Sequence, residues 1–277
     1  MLYLLAQWLH FEGLFRLVSY QSFRAGAQAS NDVHEQHARS FSVFTHNSYA
    51  VTDRLTLTGG LRYTTEDKDL HSVLVSDNPA CAGAVNLYGP DLTAVPAGLR
   101  GLLCVPNFDT RLDGVYDDSK TESEWSGTAS ADFAFTDLVH GYASYSRGYK
   151  AGGYNLDRAG LAYPNPTGSN LRFSPEFADA YELGLKGVYL DGRLRSNLAI
   201  FHTTLSDYQF TYNLLLPSGV PQRVTINLPE LVSQGVEIEN SFQVTDDLSL
   251  TLNATYQDVA FSDDAFPTGL TQLQGTT

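Results

Sequence analysis

Two cysteines, Cys81 and Cys104, carry the most reactive side chains of this chain. Both lie in one stretch, residues 66–122, whose many proline, glycine, asparagine and aspartate residues predict a long loop. A pair of cysteines within one exposed loop indicates a disulfide that closes the loop in an oxidising compartment. The alternative is two free or metal-binding thiols, although neither a C-x-x-C pair nor a nearby pair of histidines accompanies them.

A short histidine motif is the next candidate for chemistry. The run His34-Glu35-Gln36-His37 resembles the zinc-protease motif but is one residue short. On a strand this spacing would put the two histidines on opposite faces, so we interpret the similarity as accidental. The sequence has no Walker phosphate-binding loop and no G-x-S-x-G motif. We therefore predict no catalytic residue, no metal site, no cofactor and no enzymatic activity; a hydrolase with its serine and histidine on a barrel rim stays open.

The composition excludes some classes of protein. Acidic residues outnumber basic ones 31 to 17 in the 277 residues, and the resulting net charge of −14 argues against a nucleic-acid partner. The 16 Tyr and 15 Phe suit strands and membrane interfaces. The sequence contains no run of about 18 apolar residues, so it predicts no membrane-spanning helix. Residues 1–18 make a poor signal peptide, because Glu12 interrupts them and no basic region precedes them.

Four short turns organise the chain. Three of them share a pattern, at Val51–Leu55, Phe135–Val139 and Val244–Leu248, and Leu190–Arg193 forms the fourth. Asp191-Gly192 at its centre fits a two-residue type I′ turn that would pair Tyr189 with Leu194. Each turn separates two runs of alternating apolar and polar residues, which predicts four β-hairpins and about eight strands. The connections between the hairpins, residues 66–122, 150–177 and 207–231, are predicted to be long loops.

The strand pattern favours an all-β fold, an antiparallel transmembrane β-barrel. Period two alone fits a soluble β-sandwich equally well, since either fold has one apolar face. Three features favour the barrel: the apolar face is rich in glycine and alanine, aromatic residues cluster near strand ends, and short turns alternate strictly with long connections. In an outer-membrane barrel the long connections would lie outside the cell. We expect one curved sheet and no helix longer than two or three turns.

Four blocks of the sequence resemble the barrel of TonB-dependent outer-membrane receptors: Ser42–Tyr63, Tyr142–Asn155, Ser174–Lys186 and Asn227–Glu239. They occur in the family's order at hairpin positions, within residues 41–262. The resemblance implies a bacterial outer-membrane protein with a plugged barrel of about 22 strands. About eight strands are too few for that barrel, and the chain shows no plug-like segment. We therefore expect a fragment, with residues 1–40 matching the family poorly and residues 263–277 forming a truncated loop.

The resemblance also implies a function and partners. The expected function is TonB-dependent uptake of a scarce ligand, with a ferric siderophore as the expected ligand. The TonB complex would be contacted through the parent's N-terminal region, and lipid and lipopolysaccharide would surround the barrel. Two alternatives stay open: a passive porin-like barrel, and a soluble β-sandwich binding module.

Bases beside the second long loop are the candidate ligand-binding residues. By the resemblance, outer loops and the upper lumen would hold the ligand. Positive charge there could attract an anionic ferric chelate, and tyrosines could offer flat surfaces. The candidates are Arg147, Lys150 and Arg172 with Tyr149 and Tyr154, and Arg158 and Tyr163 lie nearby. The alternative is that these bases balance loop acids or contact lipopolysaccharide phosphates.

Overall fold

The computed structural model describes residues 15–25, 28–158, 160–161, 163–215 and 221–262, so the predicted loop at 263–277 lies outside the described residues. The described strands are β1 (Phe15–Ala25), β2 (Gln28–Ala50), β3 (Leu55–Leu74), β4 (Ser76–Asp77), β5 (Gly114–Thr136), β6 (Val139–Lys150), β7 (Gly153–Tyr154), β8 (Arg172–Phe173), β9 (Glu176–Tyr189), β10 (Leu194–Leu215), β11 (Pro221–Thr245) and β12 (Leu248–Phe261). Helices α1 (Pro79–Tyr88) and α2 (Ala97–Leu103) and 3₁₀ turns at Pro106–Phe108, Thr110–Leu112 and Gly168–Leu171 lie in the connections. Among the described residues, no helix is both long and apolar enough to cross a membrane.

In the part of the chain that the structure describes, nine long strands form one antiparallel sheet in the order β1-β2-β3-β5-β6-β9-β10-β11-β12, and β4 extends it beside β2. Each long strand pairs with its neighbours in sequence, as a chain of hairpins should. The predicted single antiparallel sheet is confirmed, with nine long strands in place of about eight. Within the described residues no pairing joins β1 to β12, so the sheet is open.

The short turns owe their recurring pattern to a threonine hydroxyl. Thr52 Oγ1 accepts the backbone N–H groups of Arg54 and Leu55 at 3.1 and 2.9 Å. Thr136 Oγ1 accepts those of Leu138 and Val139 at 3.2 and 3.0 Å. A side chain that satisfies two backbone donors stabilises a tight turn. We name the edge of the sheet with these turns the turn end and the opposite edge the loop end.

The Leu190–Arg193 turn follows the prediction. Asp191 and Gly192 have positive φ angles of 55° and 89°. The Arg193 N–H donates to the Leu190 carbonyl at 3.1 Å, and Tyr189 pairs with Leu194. Both central residues therefore adopt the left-handed conformation that a type I′ turn requires.

One face of the sheet, the outer face, is apolar and uncovered. Leu183 and Leu250 remain 55% and 57% exposed, and none of the described strands forms a second sheet over them. The sandwich alternative is therefore wrong, because it requires these side chains to be buried in a shared core. The opposite, inner face carries polar side chains, as in a wet lumen.

Aromatic side chains mark two levels on the outer face. Nearer the loop end, Tyr63 packs on Trp125 at a centroid distance of 4.9 Å, and Tyr145 packs on Tyr181 at 5.0 Å. Nearer the turn end, Phe133 packs on Phe135 at a centroid distance of 5.1 Å. Trp125 and Phe133 lie eight positions apart on β5, which is about 27 Å of strand or roughly 21 Å of height at a tilt of about 40°. This height matches the apolar band of an outer-membrane barrel.

The strands at the loop end extend well beyond this band. β2, β5 and β11 contain 23, 23 and 25 residues, whereas a tilted crossing needs about 9–11. The predicted loops at 66–122 and 207–231 are therefore wrong in their bounds, since β3 continues to Leu74 and β10 to Leu215. Outside the lipid no apolar face is required, so the alternating pattern fades while the backbone pairing continues.

The main hydrophobic core lies at the loop end, on the inner face. The segment between β6 and β9, residues 151–175, folds over this face, and we name it the mouth segment; its residues 159 and 162 are not described. The core cluster contains Leu70, Leu74, Leu112, Tyr116, Tyr154, Leu161 and Leu171. Strands β3 and β5, the first long connection and the mouth segment thus share one core.

Candidate functional site

The mouth segment crosses the inner face from one side of the sheet to the other. Asn155 binds Thr225 of β11 twice: its Nδ2 donates to the Thr225 carbonyl at 3.0 Å, and its Oδ1 accepts the Thr225 N–H at 2.8 Å. Three residues on, Arg158 Nε and Nη2 donate to the two carboxylate oxygens of Asp32 on β2 at 2.9 and 2.7 Å. The segment therefore joins strands that five others separate in the sheet.

Arg158 is the most deeply buried charge of this site, at 2% exposure. Besides Asp32, its Nη1 donates to Asp113 Oδ1 at 3.0 Å and to the Asp109 carbonyl at 3.1 Å. A guanidinium with this many acceptors stays charged and holds its geometry. It stabilises the mouth segment and does not offer free positive charge to a ligand.

A quartet of buried charges anchors the start of the mouth segment. Lys68 and Glu66 on β3 form an ion pair at 2.7 Å, and Lys120 and Glu122 on β5 form one at 2.5 Å. Lys68 Nζ also donates to the carbonyl of Gly152, whose N–H donates to Glu122 Oε2 at 3.0 Å. The backbone of the mouth segment thus completes a polar network on the inner face.

Tyr154 and Arg172, two of the predicted ligand residues, meet at Asp118. Arg172 Nη2 donates to Asp118 Oδ1 at 2.6 Å, and Tyr154 is buried against the same carboxylate. Burial and the neighbouring carboxylate raise the pKa of the Tyr154 phenol well above its ordinary value. Burial acts to raise the pKa of Asp118, but the hydrogen bonds from Arg172 and Tyr154 outweigh it and leave that pKa below its ordinary value. Both residues therefore anchor the mouth segment.

Arg147 lies on the outer face, away from the lumen. Its Nη1 contacts Asp179 Oδ2 at 2.5 Å, and the Tyr145 hydroxyl donates to Asp179 Oδ1 at 2.6 Å. Side chains alternate between the two faces of a strand, and Arg147 is two residues from outward-facing Tyr145, so it also points outward. Lys150, the last residue of β6, is exposed at the loop end. The structure therefore does not bring the five predicted residues together.

A polar cavity of about 370 Å³ on the inner face is the best candidate for ligand contact. Arg62, which the sequence analysis missed, donates from Nη2 to Ser42 Oγ at 2.8 Å and from Nε to Thr64 Oγ1 at 3.1 Å. Tyr149, a predicted ligand residue, also lines it. The other lining residues are Ser40, Thr64, Glu66, Ser126, Gly148 and Ala151. The sequence could have indicated Arg62, because it lies between Leu61 and Tyr63 on a transmembrane strand. Its side chain therefore points to the opposite face, toward the lumen.

The first long connection is a compact unit around the two cysteines. The structure joins Cys81 and Cys104 by a disulfide, with an S–S distance of 2.00 Å and Cα atoms 4.8 Å apart. Asn78 caps α1 by accepting the Cys81 N–H, and its Nδ2 donates to the carbonyls of Leu103 and Phe108 at 2.8 and 3.0 Å. Asp109 completes a group of possible metal ligands with the two sulfurs, but bonded sulfurs are poor ligands.

The His34 and His37 side chains lie on opposite faces of β2, as the strand spacing predicts. His34 is fully buried on the inner face, where its Nδ1 lies 2.8 Å from Ser72 Oγ. His37 lines an open outer groove with His71 and Asp117. A metal ion cannot be held by both motif histidines in this arrangement.

The antiparallel fold and the polar inner face are those of one class of barrel. The family model described as TonB dependent receptor-like, beta-barrel matches residues 5–276. The chain belongs to this family. Its members are transport receptors of the bacterial outer membrane, so the loop end faces the outside of the cell.

Individual relatives are similar over parts of the chain. The Ferric-pyoverdine M114 receptor PbuA of Pseudomonas sp. (strain M114) is 32% identical over 133 residues, which cover 48% of this chain and 14% of that protein. The Ferrioxamine receptor of Yersinia enterocolitica is 24% identical over 179 residues, covering 60% of this chain and 23% of that protein. The crystal structure of the ferric yersiniabactin uptake receptor FyuA from Yersinia pestis aligns with a TM-score of 0.61 at 16% identity, over 88% of this chain and 30% of that one. The chain thus corresponds to less than a third of these relatives' length.

Proposed function

We propose that this chain forms part of a receptor that takes up a ferric siderophore across the outer membrane with energy from the TonB complex. The observation that carries the proposal is the family match over residues 5–276. The names of the relatives, receptors for ferric pyoverdine, ferrioxamine and ferric yersiniabactin, support this ligand class. Contact with TonB through an N-terminal region and contact of the outer face with lipopolysaccharide are part of the same proposal. So is the division into residues 1–40, 41–262 and 263–277.

The ligand, in this proposal, contacts the inner-face cavity beside Arg62 and Tyr149, with Lys150 at its rim. Arg62 favours this place because its partners are two hydroxyl groups, so its charge is not offset by a paired carboxylate. A guanidinium and a phenol suit the negative oxygens and flat rings of many chelates. Arg172 and Tyr154 act indirectly, by holding the mouth segment over the cavity, and Arg147 has no role in ligand contact.

Uptake measurements test the function. Cells that produce the receptor containing this chain are given ferric pyoverdine or ferrioxamine loaded with radioactive iron. We expect accumulation in cells with TonB and none in otherwise identical cells without it. Equal accumulation in both strains contradicts the proposal and favours the passive porin-like alternative.

A pair of arginine variants tests the position of the ligand. Arg62→Ala should weaken binding of the accumulated chelate about tenfold or more, as expected for loss of a charged hydrogen bond. Arg147→Ala is the matched control, because it removes the same charge from the outer face. Binding is measured on whole cells at equal surface expression. Unchanged binding in Arg62→Ala, or an equal loss in Arg147→Ala, contradicts the proposed position.

A further inference from the structure

We propose that the mouth segment is an acid-sensitive strap. His34 lies close to the Arg158–Asp32 ion pair, and its protonation at acidic pH would detach the Arg158 end of the segment. This inference concerns a movement of the chain and does not depend on which ligand the receptor takes up. It rests on three observations: the burial of His34, its position next to the Arg158 contact, and the chemistry of the remaining anchors.

A second proton on the His34 ring would lack a hydrogen-bond acceptor. Its Nδ1 is 2.8 Å from Ser72 Oγ, and its Nε2 is buried without a hydrogen-bond partner among the described atoms. An imidazolium has a donor on both nitrogens, and a buried charged donor without an acceptor strongly destabilises its site. The closed arrangement therefore requires the neutral ring.

The charged neighbours of His34 relieve only part of this cost, because Arg158 repels an imidazolium while Asp32 attracts it. Asp32, two residues away on the same face of β2, has both carboxylate oxygens engaged by Arg158. Strand β3 contributes the neutral Ser72, and the mouth segment contributes Arg158 itself, which repels an imidazolium. Asp113 and the Asp109 carbonyl accept hydrogen bonds from that guanidinium, and Tyr116 also lies near it. Protonation of His34 thus places a second cation within reach of Arg158 in a buried site.

The direction of the pH dependence follows. Burial is the main cause that lowers the pKa of His34 below 6.5; Asp32 opposes this shift, and Arg158 adds a smaller effect in the direction of burial. In the open state the ring regains its ordinary pKa, so the open state binds more protons as the pH falls. The strap is therefore fully stable above about pH 6.5 and loses stability progressively below it.

The Asp118 anchor keeps its charge in this range. The pKa of Asp118 lies below its ordinary value, because the hydrogen bonds from Arg172 and Tyr154 outweigh the effect of burial. The contacts between Asn155 and Thr225 are uncharged. Mild acid therefore frees the Arg158 end of the strap and leaves the ends near β6, β9 and β11 attached, which widens the mouth on the side of β2.

Spin labels can measure the opening. The described residues contain no free cysteine, so Asn165→Cys in the exposed part of the strap and Asp137→Cys at the turn end can be labelled together. Distance distributions are recorded in outer membranes at about pH 7.5 and about pH 5. We expect one narrow population at the higher pH and a second, longer one at the lower pH. A wild-type distribution that is the same at both values overturns the proposal.

Variants identify the residue responsible. His34→Asn and His34→Gln keep a polar side chain without titration and should give the same distribution at both pH values. Arg158→Gln should give the longer population at both. His71→Asn is the matched control, because His71 contacts Asp117 at 2.6 Å on the exposed outer face, and it should retain the wild-type response. A full acid response in both His34 variants also overturns the proposal.

Discussion

Lys68 of β3 and Lys120 of β5 are direct cross-strand partners on the inner face of the sheet. Two like charges in this position normally destabilise a sheet. Here Glu66 and Glu122 are also direct partners, and each lysine pairs with the glutamate two residues away on its own strand. The four charges sum to zero, and carbonyl groups of the mouth segment accept one further N–H from each lysine.

Loss of one lysine should unbalance this quartet. We expect Lys120→Gln to lower the free energy of unfolding by roughly 3 kcal/mol, because it leaves a mostly buried carboxylate without its cation. The double variant Lys120→Gln, Glu122→Gln should lose less than the sum of the single variants. Urea unfolding in lipid vesicles measures both, with Lys150→Gln as an exposed control. Additive losses would show that the lysine and glutamate act independently.

The disulfide should stabilise the first long connection and leave the sheet unaffected. The cysteines are 23 residues apart, and closing a loop of that length contributes about 3 kcal/mol in the chain-entropy account. Replacing both by serine should therefore speed amide exchange in α1 and α2 about a hundredfold, with no change in β9. Mass spectrometry of unreduced peptides gives the prior check, and two free thiols there would contradict the bond.

A charge introduced at two neighbouring positions of β10 should destabilise the protein at one position and have little effect at the other. Leu198 is exposed on the outer face, four residues from each of the β10 positions that pair with Tyr189 and Tyr181, so Leu198→Arg should cost about 2–4 kcal/mol in a bilayer. Asn197 faces inward, where its Nδ2 donates to Glu239 Oε2 at 3.2 Å. Asn197→Arg should therefore be close to neutral at the same depth. Folding into lipid vesicles compares the two variants, and equal costs would refute the assignment of faces.

The turn threonines should differ in a defined order. Thr52 and Thr136 each accept two backbone N–H groups, so alanine at either position should cost about 1 kcal/mol. Thr245 Oγ1 accepts one N–H, from Asp247, at 3.4 Å, and Thr245→Ala should cost clearly less. The same urea unfolding measures all three. A loss at Thr245 as large as at Thr136 would rule out the hydroxyl as the cause.

The sequence predicted the membrane part of the sheet better than the part outside it. Lipid demands apolar side chains at every second position, so the hairpins around Asp53, Asp137 and Asp191 could be recognised. Residues 64–74 carry no such demand, and their pairing with β5 left no pattern to recognise. The outward position of Arg147 was readable from its parity with Tyr145. The pairing of Arg158 with Asp32 was not, because 126 residues separate them and only the folded sheet brings them together.

The pairing of neighbours in sequence has a consequence for assembly. Each hairpin closes a short stretch of chain at small entropic cost, so hairpins can form one after another. The mouth segment differs, since Asn155 requires β11 and Arg158 requires β2. It can take its place only when all the strands between those two have found their register. The mouth segment can therefore close only after these strands have folded, and a misregistered strand anywhere between β2 and β11 would leave it open.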